Sequence, residues 1–213
     1  MSLKFQSKFS GTAVTFMQSD INTDRIMPGE WMMRVHSEGF SAGLFADERY
    51  REDGSDEPSF VLNRLPWRSA SILIAGANFG CGSTREEAPR ALREFGFRCI
   101  IAPSFPAVFF ANCFRNGIIA ISLESRLVDE LADVTKDTGG TALISVDLNQ
   151  QIVSLMPDKH IEFQTPYKLR RMLIEGTDEI GVTLLQKSEI EKFRNTDRAY
   201  RPWAYIGGKL ETS

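Results

Sequence analysis

Short apolar runs recur through the middle of the chain, each followed by a longer stretch with helical spacing of its apolar residues. Ile72–Ala75, Arg98–Ala102 and Ile118–Leu123 read as buried strands. Pro89–Phe95, Phe105–Asn116 and the amphipathic Ser125–Thr135 read as the helices between and after them, with Gly96 and Gly117 as C-terminal stops. Strands joined by helices of this length pair in parallel. Residues 3–17 alternate loosely around Gly11 and predict one or two short strands. After residue 140 the period changes. Thr141–Leu148 and Gln151–Leu155, separated by Asn149-Gln150, predict an antiparallel hairpin that His160–Gln164 extends. Pro166–Glu175 predicts a helix closed by Gly176, and Ser188–Phe193 a short one. Residues 1–193 form one domain on this reading, and 194–213 a polar surface tail that Trp203 and Tyr205 would pin to the body or to a partner.

The stretches between these elements are more polar. Asp20-Ile21-Asn22-Thr23-Asp24 is turn material, and Pro28-Gly29 closes it. It reads either as a plain connection or as a binding loop. Trp31, Met32 and Met33 read mainly as core. Residues 38–66 are punctuated by glycine and proline, strongly charged from Asp47 to Glu57, and predict a long mobile loop with a short helix near Ala42–Tyr50. Loops of this length tend to bind ligands or act as lids.

Charge and composition narrow the function classes. The 213 residues carry a formal net charge of -3, with no dense basic run, so nucleic acid is not an expected partner. No segment approaches a membrane span, and Met1–Phe5 lacks the apolar stretch of a signal peptide. Cys81, Cys99 and Cys113 are odd in number and widely spaced. That argues against a disulfide framework or a metal cage within the chain, and for a reduced, cytoplasmic setting.

The candidate chemistry sits after the first buried strand, in Gly80-Cys81-Gly82-Ser83-Thr84-Arg85. Strand, glycine turn and helix place backbone N–H groups against an anion. A dinucleotide fingerprint fails because Arg85 stands at its third glycine. A serine-hydrolase elbow fails because Cys81 and Arg85 flank Ser83 where glycines are needed. Cys81 as nucleophile would need a base, and neither His36 nor His160 lies in a context that suggests pairing. Ser83 as a general base fits better, with Arg85 offering a fork suited to a carboxylate. The competing reading makes Ser83 a helix cap, since Ser83-Thr84-Arg85-Glu86 fits a capping box. Pro89 would then sit too far inside the helix, which leaves room for an irregular turn before it.

Asn78-Phe79-Gly80-Cys81-Gly82-Ser83-Thr84-Arg85-Glu86-Glu87-Ala88-Pro89 resembles the N-F-G-x-G-S-S-R-E-H-A-P signature of the 3-isopropylmalate dehydratase small-subunit family, which corresponds to the swivel domain of aconitase. Asn22–Pro28 resembles the family's D-T-D-x-I-I-P loop. Ser104-Phe105 with Asn112, Asn116 and Gly117 resembles a further run, and Asp178–Leu184 its D-x-I-G-L-T-L ending. The resemblance spans nearly the whole chain. It implies a three-layer swivelling β/β/α domain with a parallel and an antiparallel sheet. It implies a hydro-lyase that isomerises 2-isopropylmalate to 3-isopropylmalate in leucine biosynthesis, active only with a large subunit. Ser83 would be the general base. Arg85, Thr84, Gly82 and the Asn22, Thr23, Asp24 loop would bind a hydroxy-dicarboxylate. No cofactor would bind this chain; the [4Fe-4S] cluster would sit on the large subunit, its iron taking the departing hydroxyl as a Lewis acid. Thr84, Glu87, Arg90 and Glu30 depart from the family pattern. A paralogue acting on another 2-hydroxy diacid, of methylmalate, citraconate or dimethylmalate type, and a non-catalytic ligand-binding module of the same fold are the alternatives.

Overall fold

The computed structural model describes residues 6–33, 39–156 and 159–205. Its central strands are β1 (Lys8–Phe16), β2 (Ile72–Ala75), β3 (Cys99–Ala102) and β4 (Ile119–Ser122). β2 and β3 are buried along their whole length, as expected of parallel strands covered on both faces. Beyond them come β5 (Leu143–Asp147), β6 (Ile152–Met156) and β7 (Lys159–Glu162). The strand order is β4-β3-β2-β1-β5-β6-β7.

β1 belongs to two kinds of sheet in succession. Residues 8–12 pair antiparallel with β5, and residues 13–16 pair parallel with β2. The parallel sheet β1–β4 and the antiparallel sheet β1-β5-β6-β7 are therefore continuous through this one strand. Gly11 lies at the changeover. A Cβ there would stand 1.8 Å from Ser71 Oγ, so glycine lets the start of β2 approach β1. The sequence prediction of one or two strands over residues 3–17 resolves into one.

Helices supply the remaining layer of the expected β/β/α arrangement. They are α1 (Thr23–Ile26), α2 (Gly29–Met32), α3 (Ala46–Arg49), α4 (Glu87–Phe95), α5 (Ala107–Arg115), α6 (Ser125–Asp137), α7 (Tyr167–Glu175), α8 (Glu179–Leu184) and α9 (Lys187–Tyr200). α6 packs on β1, β2 and β3 through Val128, Leu131, Ala132 and Thr135. α5 buries Phe109, Cys113 and Phe114, while α4 buries Ala88, Pro89, Ala91 and Leu92.

Two stretches differ from the sequence reading. The segment after residue 38 is described from Gly39, and it is tied down by a buried arginine. Arg49 is 8% exposed; it donates to Ser41 O at 2.9 Å and Asn63 Oδ1 at 3.2 Å, and lies over the Tyr50 and Phe95 rings. Asn63 donates back to the carbonyls of Arg49 and Glu57. These long-range bonds join ends of the segment that a local reading leaves independent. At the other end of the chain, α9 runs to Tyr200 and a further helical turn covers Pro202–Tyr205, where the sequence suggested a tail from residue 194. Met33, read with the core, is 85% exposed, whereas Trp31 and Met32 pack against it. Among the described residues no helix is long and apolar enough to cross a membrane.

Candidate active site

The turn that leaves β2 is zipped to the loop that leaves β1. Asp20 N donates to Ala77 O at 2.9 Å, Gly80 N to Ile21 O at 2.8 Å, and Thr23 N to Cys81 O at 2.7 Å. Parallel pairing of β1 and β2 brings both exits to one end of the sheet, where ligand sites of open α/β sheets form. Gly80, at φ +79, permits this course: a Cβ would stand 2.3 Å from the Phe109 ring of α5. Phe79 is fully buried edge-on to the same ring. Ser104 fixes the start of the turn by accepting from Asn78 N at 2.9 Å, and Asn78 Nδ2 reaches Asp20 Oδ1 at 2.8 Å.

Ser83 emerges from this frame outside any helix. α4 begins at Glu87, and Glu86 precedes it without a side-chain cap bond, so the capping box is not formed. Pro89 is accommodated within the first helical turn instead. Ser83 Oγ lies 2.8 Å from Thr23 Oγ1 and accepts from Arg85 Nε at 3.0 Å. Thr23 Oγ1 in turn accepts from Ser83 N at 3.0 Å, and Thr23 is 1% exposed. Arg85 spends its other donors on Asp24 Oδ1 and, at 3.3 Å, on Met32 Sδ of α2. A thioether is a weak acceptor, so the Nη1 direction is where an incoming carboxylate gains most.

The loop side is equally fixed. Asn22 caps α1 by accepting from Arg25 N at 2.7 Å, which uses its side-chain oxygen within the loop. Arg25 forks onto Glu48 of α3, and that carboxylate raises its pKa. Thus Thr23, Asp24, Ser83 and Arg85 meet directly, while Asn22 supports them. Gly82 is exposed beside Thr23, and Thr84 is exposed with its carbonyl accepting from Asn112 Nδ2 at 3.1 Å. Asn112 Oδ1 accepts from Arg115 at 2.9 Å. Reasoning from the chain read Met32 as core and gave Asn112 and Ser104 no separate role at this turn, although the last two belong to the Ser104–Gly117 resemblance.

Ser83, Arg85, Thr23, Met27, Met32, Glu87 and Ala88 line a gap with no room for a water molecule. Of the positions that depart from the family pattern, only Glu87 lines it. Glu30 is exposed on α2, and Arg90 is engaged by Glu86 and the Phe40 ring.

The cysteines do not suit an iron–sulfur cluster. Cys99 and Cys113 are buried in the apolar core, and that burial pushes both thiols well above the ordinary range. Cys81 stands apart on the turn, and among the described residues no three His, Cys, Asp or Glu side chains converge. Nor is Cys81 paired with the described histidine. His160 sits on β7 at the far edge of the sheet, with Nδ1 2.8 Å from Ser154 Oγ. His36 lies outside the described residues.

Comparison with known proteins agrees with this architecture. Residues 4–126 match the aconitase C-terminal domain. The 3-isopropylmalate dehydratase small subunit of Paramagnetospirillum magneticum is 41% identical over 194 residues, covering 91% of this chain and 96% of that protein. The small subunit of Rhodospirillum centenum is 41% identical over 195 residues, covering 92% and 96%. The crystal structure of 3-isopropylmalate dehydratase (leuD) from Methanocaldococcus jannaschii superposes with a TM-score of 0.58 at 26% identity, covering 88% of this chain and 99% of that one. With 41% identity over more than nine-tenths of its length and a family match over residues 4–126, the chain belongs to the 3-isopropylmalate dehydratase small-subunit family, within the aconitase C-terminal domain class.

Proposed function

We propose that this chain is the small subunit of a hydro-lyase that isomerises 2-isopropylmalate to 3-isopropylmalate by dehydration and rehydration, in leucine biosynthesis. Its working form is a complex with a large subunit in the cytoplasm, and that partner holds the iron–sulfur cluster. The observation that carries the reading is the environment of Ser83 Oγ. Arg85 Nε donates to it, and the Thr23 hydroxyl lies within hydrogen-bond distance. When Thr23 donates as well, the oxygen faces two donors, one of them cationic. That lowers the cost of an alkoxide able to take a proton from carbon. The same guanidinium keeps Nη1 on the weak Met32 acceptor, so the carboxylate it clamps holds the adjacent C–H close to Ser83. Asp24 keeps Arg85 in place until the substrate arrives.

Ser83→Ala in the assembled complex tests this. Turnover of 2-isopropylmalate is expected to fall by about 10³-fold with the complex still formed. Ordinary turnover in that variant would remove the base assignment.

A further inference from the structure

Residues 83–85 carry the base and the clamp, yet among the described residues no backbone-to-backbone hydrogen bond holds them. The pairing with the β1 loop ends at Cys81, and α4 starts only at Glu87. Two side chains hold the backbone between those points. From the loop after β1, Thr23 Oγ1 accepts from Ser83 N. From the helix layer, Asn112 of α5 donates from Nδ2 to Thr84 O at 3.1 Å. Asn112 is 2% exposed and stands among the buried Phe109, Cys113 and Phe114. An amide in such surroundings is costly unless its polar atoms are used. Its Oδ1 accepts from Arg115 Nη1 at 2.9 Å. A guanidinium can only donate, so Arg115 fixes which end of the amide is oxygen and turns Nδ2 to the Thr84 carbonyl.

We propose that Asn112 is a positioning residue for the reaction: from the core it sets the geometry between the Ser83 base and the Arg85 clamp. This rests on the reading of those two residues given above and extends it. The carbonyl that Asn112 holds belongs to the peptide group joining Thr84 to Arg85. That group is planar and trans, so fixing its oxygen fixes the direction in which Arg85 leaves the turn. Arg85 Nε in turn donates to Ser83 Oγ, so a tilt of this plane disturbs both groups. Without Asn112 the turn keeps its course through the Cys81 and Thr23 bonds, but the plane between Thr84 and Arg85 is free to rotate. Misplacing reacting groups by about 1 Å costs on the order of 100-fold in rate, so a small loosening here is felt in turnover.

The test uses the complex with its large subunit, with rates taken per assembled complex so that a less stable variant still reports. Asn112→Leu keeps the side-chain volume and removes both bonds. Asn112→Asp keeps the shape and the Arg115 contact, and sets an acceptor against the Thr84 carbonyl. In both, kcat for 2-isopropylmalate is expected to fall at least about tenfold. The same substitutions are then placed in the Ser83→Ala complex. There they are expected to change the residual rate at saturating substrate by less than about twofold, because the base they position is gone. An unchanged kcat in both single variants overturns the positioning role. So does an equal loss with and without the Ser83 hydroxyl, which is what a general loosening of the fold produces. Ordinary turnover in Ser83→Ala alone overturns the parent reading and this role with it. A Ser83→Ala complex that loses activity while the Asn112 variants keep theirs overturns this role alone.

Discussion

Thr23 and Ser83 form the smallest unit with a consequence of its own. Thr23 accepts from the Ser83 backbone and faces the Ser83 hydroxyl, so it fixes the position of that oxygen and offers it a hydrogen. Thr23→Val keeps the buried volume and removes both interactions. In the complex it is expected to lower kcat about 100-fold with little change in KM, the pattern of a lost donor to a developing oxyanion. An unaltered kcat would leave Thr23 a packing residue. The Ser83 end of this pair was legible from local chemistry, because a hydroxyl and an arginine in a glycine turn mark an anion site. The Thr23 end was not derivable in that way. Its hydroxyl meets Ser83 only because β1 and β2 are parallel neighbours; the polar Asp20–Asp24 stretch and the resemblance of Asn22–Pro28 to a family loop marked the region, but neither gave that contact. Glu87 was visible as a departure from pattern, but nothing in the chain announced that its Oε2 is buried and unpaired.

At the scale of elements, the segment from Arg49 to Asn63 behaves as a tied loop. Glu57 helps to close it. It accepts from Ser59 N at 3.0 Å and Ser59 Oγ at 2.7 Å, with Arg51 Nε at 3.2 Å, and these contacts draw its carboxyl down to about 2 from 4.5. A folded pKa below the unfolded one gives stability that is complete above the unfolded value and is lost as pH falls through the folded one. Glu57→Gln is therefore expected to melt below wild type at pH 7. The gap should begin to close below about pH 4.5 and disappear only once pH has fallen below about 2. A gap independent of pH in thermal unfolding would show that the charge is not what closes the loop. The three parallel strands and their helices could be read in advance because their apolar periods are strong and local. Arg49 could not, since its partners are carbonyls, an amide and rings brought in from elsewhere. The extent of α9 was missed although its signals were local. Lys187 and Glu191, and Asp197 and Arg201, stand four residues apart as helical ion pairs.

For the molecule as a whole, α9 is an appendage. None of its residues is buried, and Phe193 is 61% exposed. A chain ending at Gln186 is expected to unfold cooperatively within about 3 °C of the full chain, equivalent to less than about 1 kcal/mol. A much larger drop in a thermal melt would place α9 among the elements that hold the core. The stability resides instead in the two sheets, and they meet in β1. That strand has no neighbour in sequence to pair with: its parallel partner starts at Ile72 and its antiparallel partner at Leu143. Pairings so distant raise contact order and slow folding toward the millisecond-to-second range of non-local topologies. During synthesis β1 emerges before both of its pairing partners and waits for them. Until β5 has emerged, the Lys8–Thr12 half of β1 is an open strand edge, the kind of surface that pairs with other chains. Neither sheet can be completed, and the Ser83 turn cannot be held rigidly, before most of the chain exists.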